Sequence, residues 1–527
     1  MSMETEVEEQ ISLGSEILTD EGRTHYFVKE SVRVKGEIVE FGEREITDFT
    51  MKLTNRIQVG GDAAQIIFEV EIKNKTWQIP SAVLSSLAKW RVWCNARGLG
   101  WSGKDFDLIG IFDMLVASEG PTLHGVNVVG LHDDTFVLPD EVVGPQGVYA
   151  FVPPPAGDLW SRRTNLVKDP RWEMDALKLL AQLHQPDVIT PILGWIAAAP
   201  LRVTVKKFPP LVISGGSGFG KTTLLETILD TFGFWTAAAI SLTSGSTPYT
   251  VSAECASSNA LPVWFDEYRG STFGRDDTRR AIQQAVRDAF DGASTEKGGG
   301  GADHMLINPM PVCAPLIISG EDSLTEISHV ERAVIVNMPR SGRNREALDE
   351  LRDCWELDGT PVLHRQGIGR AYLEWLLEVQ ADPDRQGRLR MPQPTERPEL
   401  GQEIVKWGYG LLCDFVGEHN DGIIDMPSFD GTRIAADQLA ASDTNPIFEA
   451  IAEARSVAYP DEMVWEEDGC IYVRVGALCS WTKKNRDIIL PGGAQAVKAW
   501  LRENCGAKDD EVERYTARVR VSWWKMP

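Results

Sequence analysis

Apolar positions fall in short runs, each delivered into a polar or glycine-rich corner, and between the runs the spacing lengthens to that of a helix. The clearest case is Leu211-Val212-Ile213, which opens through Ser214-Gly215-Gly216-Ser217-Gly218-Phe219-Gly220 into Lys221-Thr222-Thr223-Leu224-Leu225. This reads as a buried strand, a tight loop and an amphipathic helix over 222–231. The alternation continues downstream: strands are expected over 236–242, 261–265, 314–318 and 329–336, with helices over 250–256 and 278–290. The second of these strands ends in Asp266-Glu267 and the third in Ser319-Gly320-Glu321-Asp322. Strands alternating with helices predict an α/β core.

On either side the pattern changes. From 24 to 74 it consists of short β-rich runs, including His25-Tyr26-Phe27-Val28, with a turn at Gly60-Gly61-Asp62. A helix is expected over 81–94, where Val83, Leu84, Leu87 and Trp90 share helical spacing, and another near 105–118. Strands over 126–131 and 134–139 flank a polar turn at His132-Asp133, and Pro153-Pro154-Pro155 forms a stiff boundary. Two helices are expected between 172 and 199. Beyond 339 come helices over 345–356, 367–379 and 400–418, then a polar passage. A small α+β unit follows, with a strand at 470–475, helices at 477–484 and 493–504 and a closing strand at 516–524, an order that suits a winged-helix module. The division expected is an acidic, disordered tail (1–20), an N-terminal α/β domain (21–155), the core (156–342), a helical lid with linker (343–430) and a winged-helix-like domain (431–527).

Composition narrows the class. With 527 residues the chain exceeds one hydrophobic core, so two to four domains of about 150 residues are expected. The balance of 25% charged and 43% hydrophobic residues belongs to a globular protein, and the longest apolar stretch, near 189–200, is too short for a membrane span. The acidic start lacks a basic-then-apolar leader, which predicts a cytoplasmic protein with no membrane partner. None of the eight cysteines forms a CxxC pair and the eight histidines show no HExxH, so a zinc site is not expected. A net charge of −24 disfavours nonspecific coating of nucleic acid by the outer surface. It leaves room for a local basic channel, because screening confines fields to about 8 Å.

The chemistry resides in the glycine corner. Gly215, Gly216, Ser217, Gly218, Phe219, Gly220, Lys221, Thr222 and Thr223 carry GxxxxGK[ST]. Glycines let backbone N–H groups turn inward around an anion, the helix start adds partial positive charge, Lys221 can reach the β- and γ-phosphates, and the Thr222 hydroxyl can hold Mg²⁺. The fold expected is therefore a P-loop NTPase core of ASCE/AAA+ type, with ATP and Mg²⁺ as cofactors. Asp266 lies 44 positions beyond Thr222 at the tip of an apolar strand. It can hold Mg²⁺ through water, while Glu267 can orient and deprotonate the attacking water. The four glycines of 298–301 predict a mobile loop or a hairpin with a loose tip. The N-terminal domain carries no catalytic constellation and reads as a collar or a contact surface. Lys206 and Lys207 read as solvated, with a nucleotide base or a neighbouring subunit as the alternative contact. Lys483, Lys484 and Arg486 cluster at a helix end, where they either meet phosphates or are simply solvated.

Phosphate loop, acid-tipped strand, glycine-rich hairpin, polar-tipped strand and an arginine entering a strand resemble, in that order, the superfamily 3 helicases and the related helicase domains of phage and plasmid replication proteins. Leu316-Ile317-Ile318-Ser319-Gly320-Glu321-Asp322-Ser323-Leu324 followed by Arg332, and Asp134-Thr135-Phe136-Val137-Leu138-Pro139-Asp140 upstream, carry this likeness across about 125–340. The resemblance implies a homo-oligomeric ring, usually a hexamer, with ATP between subunits, single-stranded DNA in the channel and other replication proteins as partners. It implies that Ser319 senses the γ-phosphate, with Ser standing where many members have Asn, and that Arg332 is the finger reaching the neighbour's ATP, with Arg269 and Arg287 as rivals. On the hairpin it puts Lys297 first and His304 second as DNA contacts. The function expected is an ATP-dependent DNA helicase of a phage or mobile element. The alternative is a ring ATPase that remodels a protein or loads a helicase. A primase fusion is disfavoured because the N-terminal region has neither a zinc-binding set nor a clear acidic triad.

Overall fold

The computed structural model describes residues 17–18, 25–34, 37–60, 65–153, 160–166, 174–242, 246–269, 276–292, 294–298, 307–324, 327–353, 356–357, 360–361, 367–391, 397–419, 426–434, 446–456, 463–467, 470–485, 494, 497–498, 501–502, 508–510 and 523–526. They form two compact units, Met1–Asn127 with His132–Asp158, and Val128–Leu131 with Leu159–Pro527.

In the first unit, β1 (Phe27–Val34) and β2 (Glu37–Glu45) make an antiparallel hairpin. The strands β3 (Lys52–Val59), β4 (Gln65–Ile72) and β5 (Lys75–Pro80) pair antiparallel. A sheet in the order β7-β6-β3-β4-β5 is completed in parallel by β6 (Thr122–Val126) and β7 (Tyr149–Phe151). Alternate residues of β4, Phe68, Val70 and Ile72, join one buried cluster with Trp90 and Trp93 of α1 (Leu87–Asn95) and Leu108, Ile111 and Leu115 of α2 (Asp105–Ala117). The helix expected over 81–94 is broken. A single turn at Ser81–Leu84 is cut off from α1 because Ser86 is extended, with φ −152° and ψ 125°, and the Ser85 hydroxyl donates to the Ala82 carbonyl at 2.8 Å. Buried Asp107 accepts from Arg44 and from the Lys104 N–H, each at 2.7 Å, so its charge is paired and the start of α2 is capped.

The second unit opens with α3 (Met174–Gln182) and α4 (Pro186–Ala198). Its strands are β8 (Leu211–Ser214), β9 (Ile240–Ser241), β10 (Val263–Tyr268), β11 (Ser294–Gly298), β12 (Ile307–Pro311), β13 (Leu316–Gly320) and β14 (Val334–Asn337). Five pair in parallel in the order β9-β10-β13-β8-β14, and β11 with β12 forms an antiparallel hairpin. Every residue of β8 and β13 is buried, as expected for parallel strands covered on both faces. Between the strands run α5 (Lys221–Phe232), α6 (Pro248–Cys255) and α7 (Asp276–Asp291).

Two strand boundaries differ from expectation. The strand over 236–242 shrinks to β9, because Thr236 N–H donates to the Arg163 carbonyl at 2.6 Å and Arg163 lies 4.7 Å over Trp235, which holds the preceding stretch aside. The strand over 329–336 starts only at Val334; Ile327–Val330 is a helical turn, and Arg332 sits between the two.

Beyond the sheet run α8 (Arg345–Asp353), α9 (Gly367–Ala381) and α10 (Arg397–His419). The apolar stretch near 189–200 is mostly α4, buried from Val188 to Ala198. It crosses α10 backbone to backbone: a β-carbon on Gly194 would stand 2.1 Å from the Val405 carbonyl oxygen, and one on Gly408 2.0 Å from that of Gly194. The Tyr372 hydroxyl of α9 donates to the Ala197 carbonyl at 2.9 Å, joining the same layer. Among the described residues no helix is long and apolar enough to cross a membrane.

The C-terminal part holds α11 (Pro446–Ser456), β15 (Val464–Glu467), β16 (Cys470–Val473), α12 (Val475–Asn485), β17 (Lys508–Asp510) and β18 (Trp523–Met526). The strands pair antiparallel in the order β15-β16-β18-β17 over a core that includes Ile447, Ile451, Val464, Val473 and Leu478. The closing strand lies later than expected, and most of the 516–524 stretch falls outside the described residues.

Candidate active site

The phosphate loop, the acid pair and the polar strand tip meet at the C-terminal ends of β8, β10 and β13. Chain order alone would set β8 beside β9, yet the sheet places β13 between β8 and β10. The result is that residues from three distant segments converge where strand order reverses, the usual ligand position in an open α/β sheet.

Glycine is demanded at the ends of the loop. Gly215 has φ +150° and a β-carbon there would stand 2.8 Å from the Met338 carbonyl oxygen, while Gly220, at the start of α5, has φ +85°. Lys221 is buried, with Nζ donating to the carbonyls of Gly215 at 2.7 Å and Gly216 at 3.2 Å. Burial pulls its pKa down, and the charges of Asp266 and Glu321 pull the other way. Such an ammonium, short of water, gains from an anion placed in the loop.

Asp266 is the hub. Its Oδ2 accepts from the Thr222 hydroxyl at 3.0 Å, and its Oδ1 accepts from the Ser319 hydroxyl at 2.6 Å and the Glu267 N–H at 2.8 Å. Thr222 and Asp266 are thus one hydroxyl and one carboxylate in contact, the hard oxygen donors that Mg²⁺ takes together with phosphate oxygens and water. Among the described residues no group of three His, Cys, Asp or Glu could hold a metal. Glu267 is exposed, is the only non-glycine residue of the described core strands with φ in the left-handed region, at +65°, and accepts from the Ser241 hydroxyl. A bulge between Phe265 and Tyr268 turns it outward while Asp266 faces the loop.

Ser319 is fully buried: its hydroxyl accepts from Trp264 Nε1 at 2.8 Å and donates to Asp266. The geometry makes it a brace on Asp266 rather than a group facing the loop. Arg332 is also tied within its own chain, donating to the Ser328 carbonyl, 3.9 Å from Asp291 and with its guanidinium 5.9 Å from the Phe290 ring centre. Its rival Arg287 donates to His329 Nε2 at 2.8 Å, and half-exposed Arg269 reaches Glu321 at 3.3 Å. Lys297 sits on β11 opposite Asn308, with only its backbone described. His304 lies outside the described residues. In α12, Lys484 is exposed and Lys483 is described by its backbone, while Arg486 lies outside the described residues. Lys207, expected to be solvated, is partly covered, with Nζ 5.4 Å from the Phe290 ring centre.

Three features were missed from sequence. Arg343 donates to the Gly218 carbonyl at 3.2 Å, and the Ser214 hydroxyl donates to Asn337 Oδ1 at the neighbouring strand tip. Beside the first turn of α5 lies a cavity of ≈ 270 Å³ whose walls include Leu183, His184, Leu224, Met338 and Leu348. The one available signal was the pair Arg340 and Arg343 just past the last core strand; a single histidine between two helices gives none.

No family model and no curated protein matches this sequence. Among solved structures, the active helicase Cch of SCCmec type IV shares the fold with a TM-score of 0.56 at 10% identity, over 98% of each chain. The A-form apo structure of the NrS-1 C-terminal region aligns over 87% of this chain and 93% of its own, at 10% identity and a TM-score of 0.32, too low to establish a common fold.

Proposed function

We propose that this chain is an ATP-dependent DNA helicase of a phage or mobile element, working in replication as a homo-oligomeric, hexameric ring in a bacterial cytoplasm. The observation that carries the reading is the direct contact of Thr222 with Asp266 beneath the phosphate loop, with Glu267 one residue on and turned outward.

Backbone N–H groups of 215–220 would cradle the phosphates and Lys221 would exchange its loop carbonyls for phosphate oxygens. Thr222 and Asp266 would hold Mg²⁺, which when bound neutralises charge on the β- and γ-phosphates. Glu267 takes the proton of the attacking water as its oxygen bonds to the γ-phosphorus and the bridging oxygen leaves with ADP. Ser319 keeps Asp266 in register throughout. A neighbour's arginine would complete the site. By the resemblance Arg332 would be that finger, and here it must first leave Asp291, so Arg269 is tested beside it. Single-stranded DNA would meet the β11–β12 hairpin at Lys297, with His304 as the second contact; Lys483, Lys484 and Arg486 would meet nucleic-acid phosphates.

The test is separation of a forked duplex with ATP and Mg²⁺. Wild type should unwind it, whereas Lys221→Ala and Glu267→Gln should not. Identical behaviour of wild type and Lys221→Ala would refute the reading. The net charge of −24 favours a second reading, a ring ATPase that remodels a protein or loads a helicase. ATP hydrolysis stimulated by DNA and lost in Lys297→Ala selects the helicase; stimulation by a protein alone selects the rival.

A further inference from the structure

The Gln185 N–H donates to His184 Nδ1 at 2.9 Å, so in the neutral ring Nδ1 is the acceptor and Nε2 carries the hydrogen. That Nε2 is buried and has no partner, on a residue only 4% exposed. An unpaired buried donor is unfavourable, and a ligand acceptor would relieve that cost. His184 lines the cavity beside α5, where Leu183, Leu224, Met338 and Leu348 supply apolar wall and Arg343, Asn344 and Arg345 a polar side. Asn344 N–H donates to the Leu183 carbonyl at 3.0 Å and closes one side. Burial lowers the His184 pKa below its ordinary value, which keeps the ring neutral and the donor assignment intact.

The phosphate loop fixes the direction of any nucleotide it holds. With the β- and γ-phosphates at Lys221 and Thr222, the α-phosphate and sugar leave past Thr223, which also lines this cavity. From the unpaired donor, the part-apolar, part-polar lining and this direction, we propose that the cavity takes the purine base of the nucleoside triphosphate and that His184 Nε2–H donates to one of its ring nitrogens, making His184 a specificity-determining residue. The inference rests on the phosphate-site reading above and adds a base pocket to it.

Binding to the full chain separates the two. ATP and inorganic tripolyphosphate are titrated against wild type and His184→Phe, which keeps a ring and removes the donor. Wild type should bind both, and His184→Phe should lose about tenfold in ATP affinity, the order expected for one hydrogen bond, with tripolyphosphate unchanged. Equal weakening of both ligands, or of neither, overturns the base contact while leaving the phosphate site standing. If wild type bound neither ligand, the phosphate reading itself would fall. Wild type is also titrated with 1-deaza-, 3-deaza- and 7-deaza-ATP, which requires no variant to fold. One analogue should bind about tenfold more weakly than ATP. Three affinities matching that of ATP, or CTP and UTP binding as tightly as ATP, would overturn the proposal.

Discussion

The carbonyl oxygen of Tyr268 lies 2.0 Å from where a β-carbon on residue 320 would stand. Tyr268 and Gly320 are paired across β10 and β13 just past the bulge that holds Glu267 at φ +65°. Any side chain at 320 must push β10 away and so release the backbone that aims the Glu267 carboxylate. Gly320→Ala should therefore cost about 1–3 kcal/mol or more as overpacking against rigid backbone. ATP hydrolysis should fall further than the lost stability explains. Calorimetry and a steady-state ATPase assay on one preparation check this; wild-type turnover in Gly320→Ala would sink it.

Ser319→Ala removes the brace on Asp266 and leaves Trp264 Nε1 buried without its acceptor. The stability cost should be about 1–3 kcal/mol. Because Ser319 acts through the acid and does not touch the loop, kcat should drop while the KM for ATP stays within about twofold, the pattern of an interaction needed only in the transition state. A rise in KM with kcat unchanged would mean that Ser319 contacts nucleotide directly.

How much of this was visible in the sequence depends on how local each feature is. Gly215 to Thr223 and the α/β alternation around them were legible, because loop, lysine and helix start are contiguous and the glycines answer to φ. The contact of Ser319 with Asp266 was not, since it requires β13 to slip between β8 and β10, a non-local choice that short-range patterns do not encode. Arg332 looked like a strand entrance because Val334 to Val336 are apolar, whereas a turn at Ile327–Val330 draws it onto Asp291. Gly194 and Gly408 allow two helices to touch, a contact between distant segments that no local pattern encodes. His184 matched no motif, and only the cavity beside it reveals its unpaired nitrogen.

Arg163 and Glu254 form a two-pronged ion pair, Nη2 to Oε1 at 2.8 Å with Nη1 on Oε2, and the side chains are only 12% and 6% exposed. Removing one charge strands the other in a poorly solvated place. Glu254→Ala should cost about 3–5 kcal/mol, while replacing both partners with apolar residues should cost much less. Denaturant unfolding of the single and double variants checks the coupling. Equal losses in the two would show that water reaches the pair.

Glu418 of α10 accepts from Arg388 Nη1 at 2.6 Å on Oε1 and from Trp375 Nε1 at 2.7 Å on Oε2, the oxygen that Arg385 also reaches. Partial burial pushes its pKa up, but the bonds from Trp375 and Arg388 and the charges of Arg385 and Arg388 outweigh it, and the net shift is below the ordinary 4.5. A carboxylate depressed in the folded state stabilises above its unfolded value, and that contribution fades as pH falls through the lower folded one. Wild type should therefore melt above Glu418→Gln at neutral pH, with a gap that holds down to about pH 4.5 and narrows under more acid conditions. Since the side chain is 34% exposed, solvent screening should keep the gap small. Differential scanning calorimetry of both proteins across this range isolates Glu418 from the other carboxylates. A gap that did not change with pH would show that Glu418 acts by shape and not by charge.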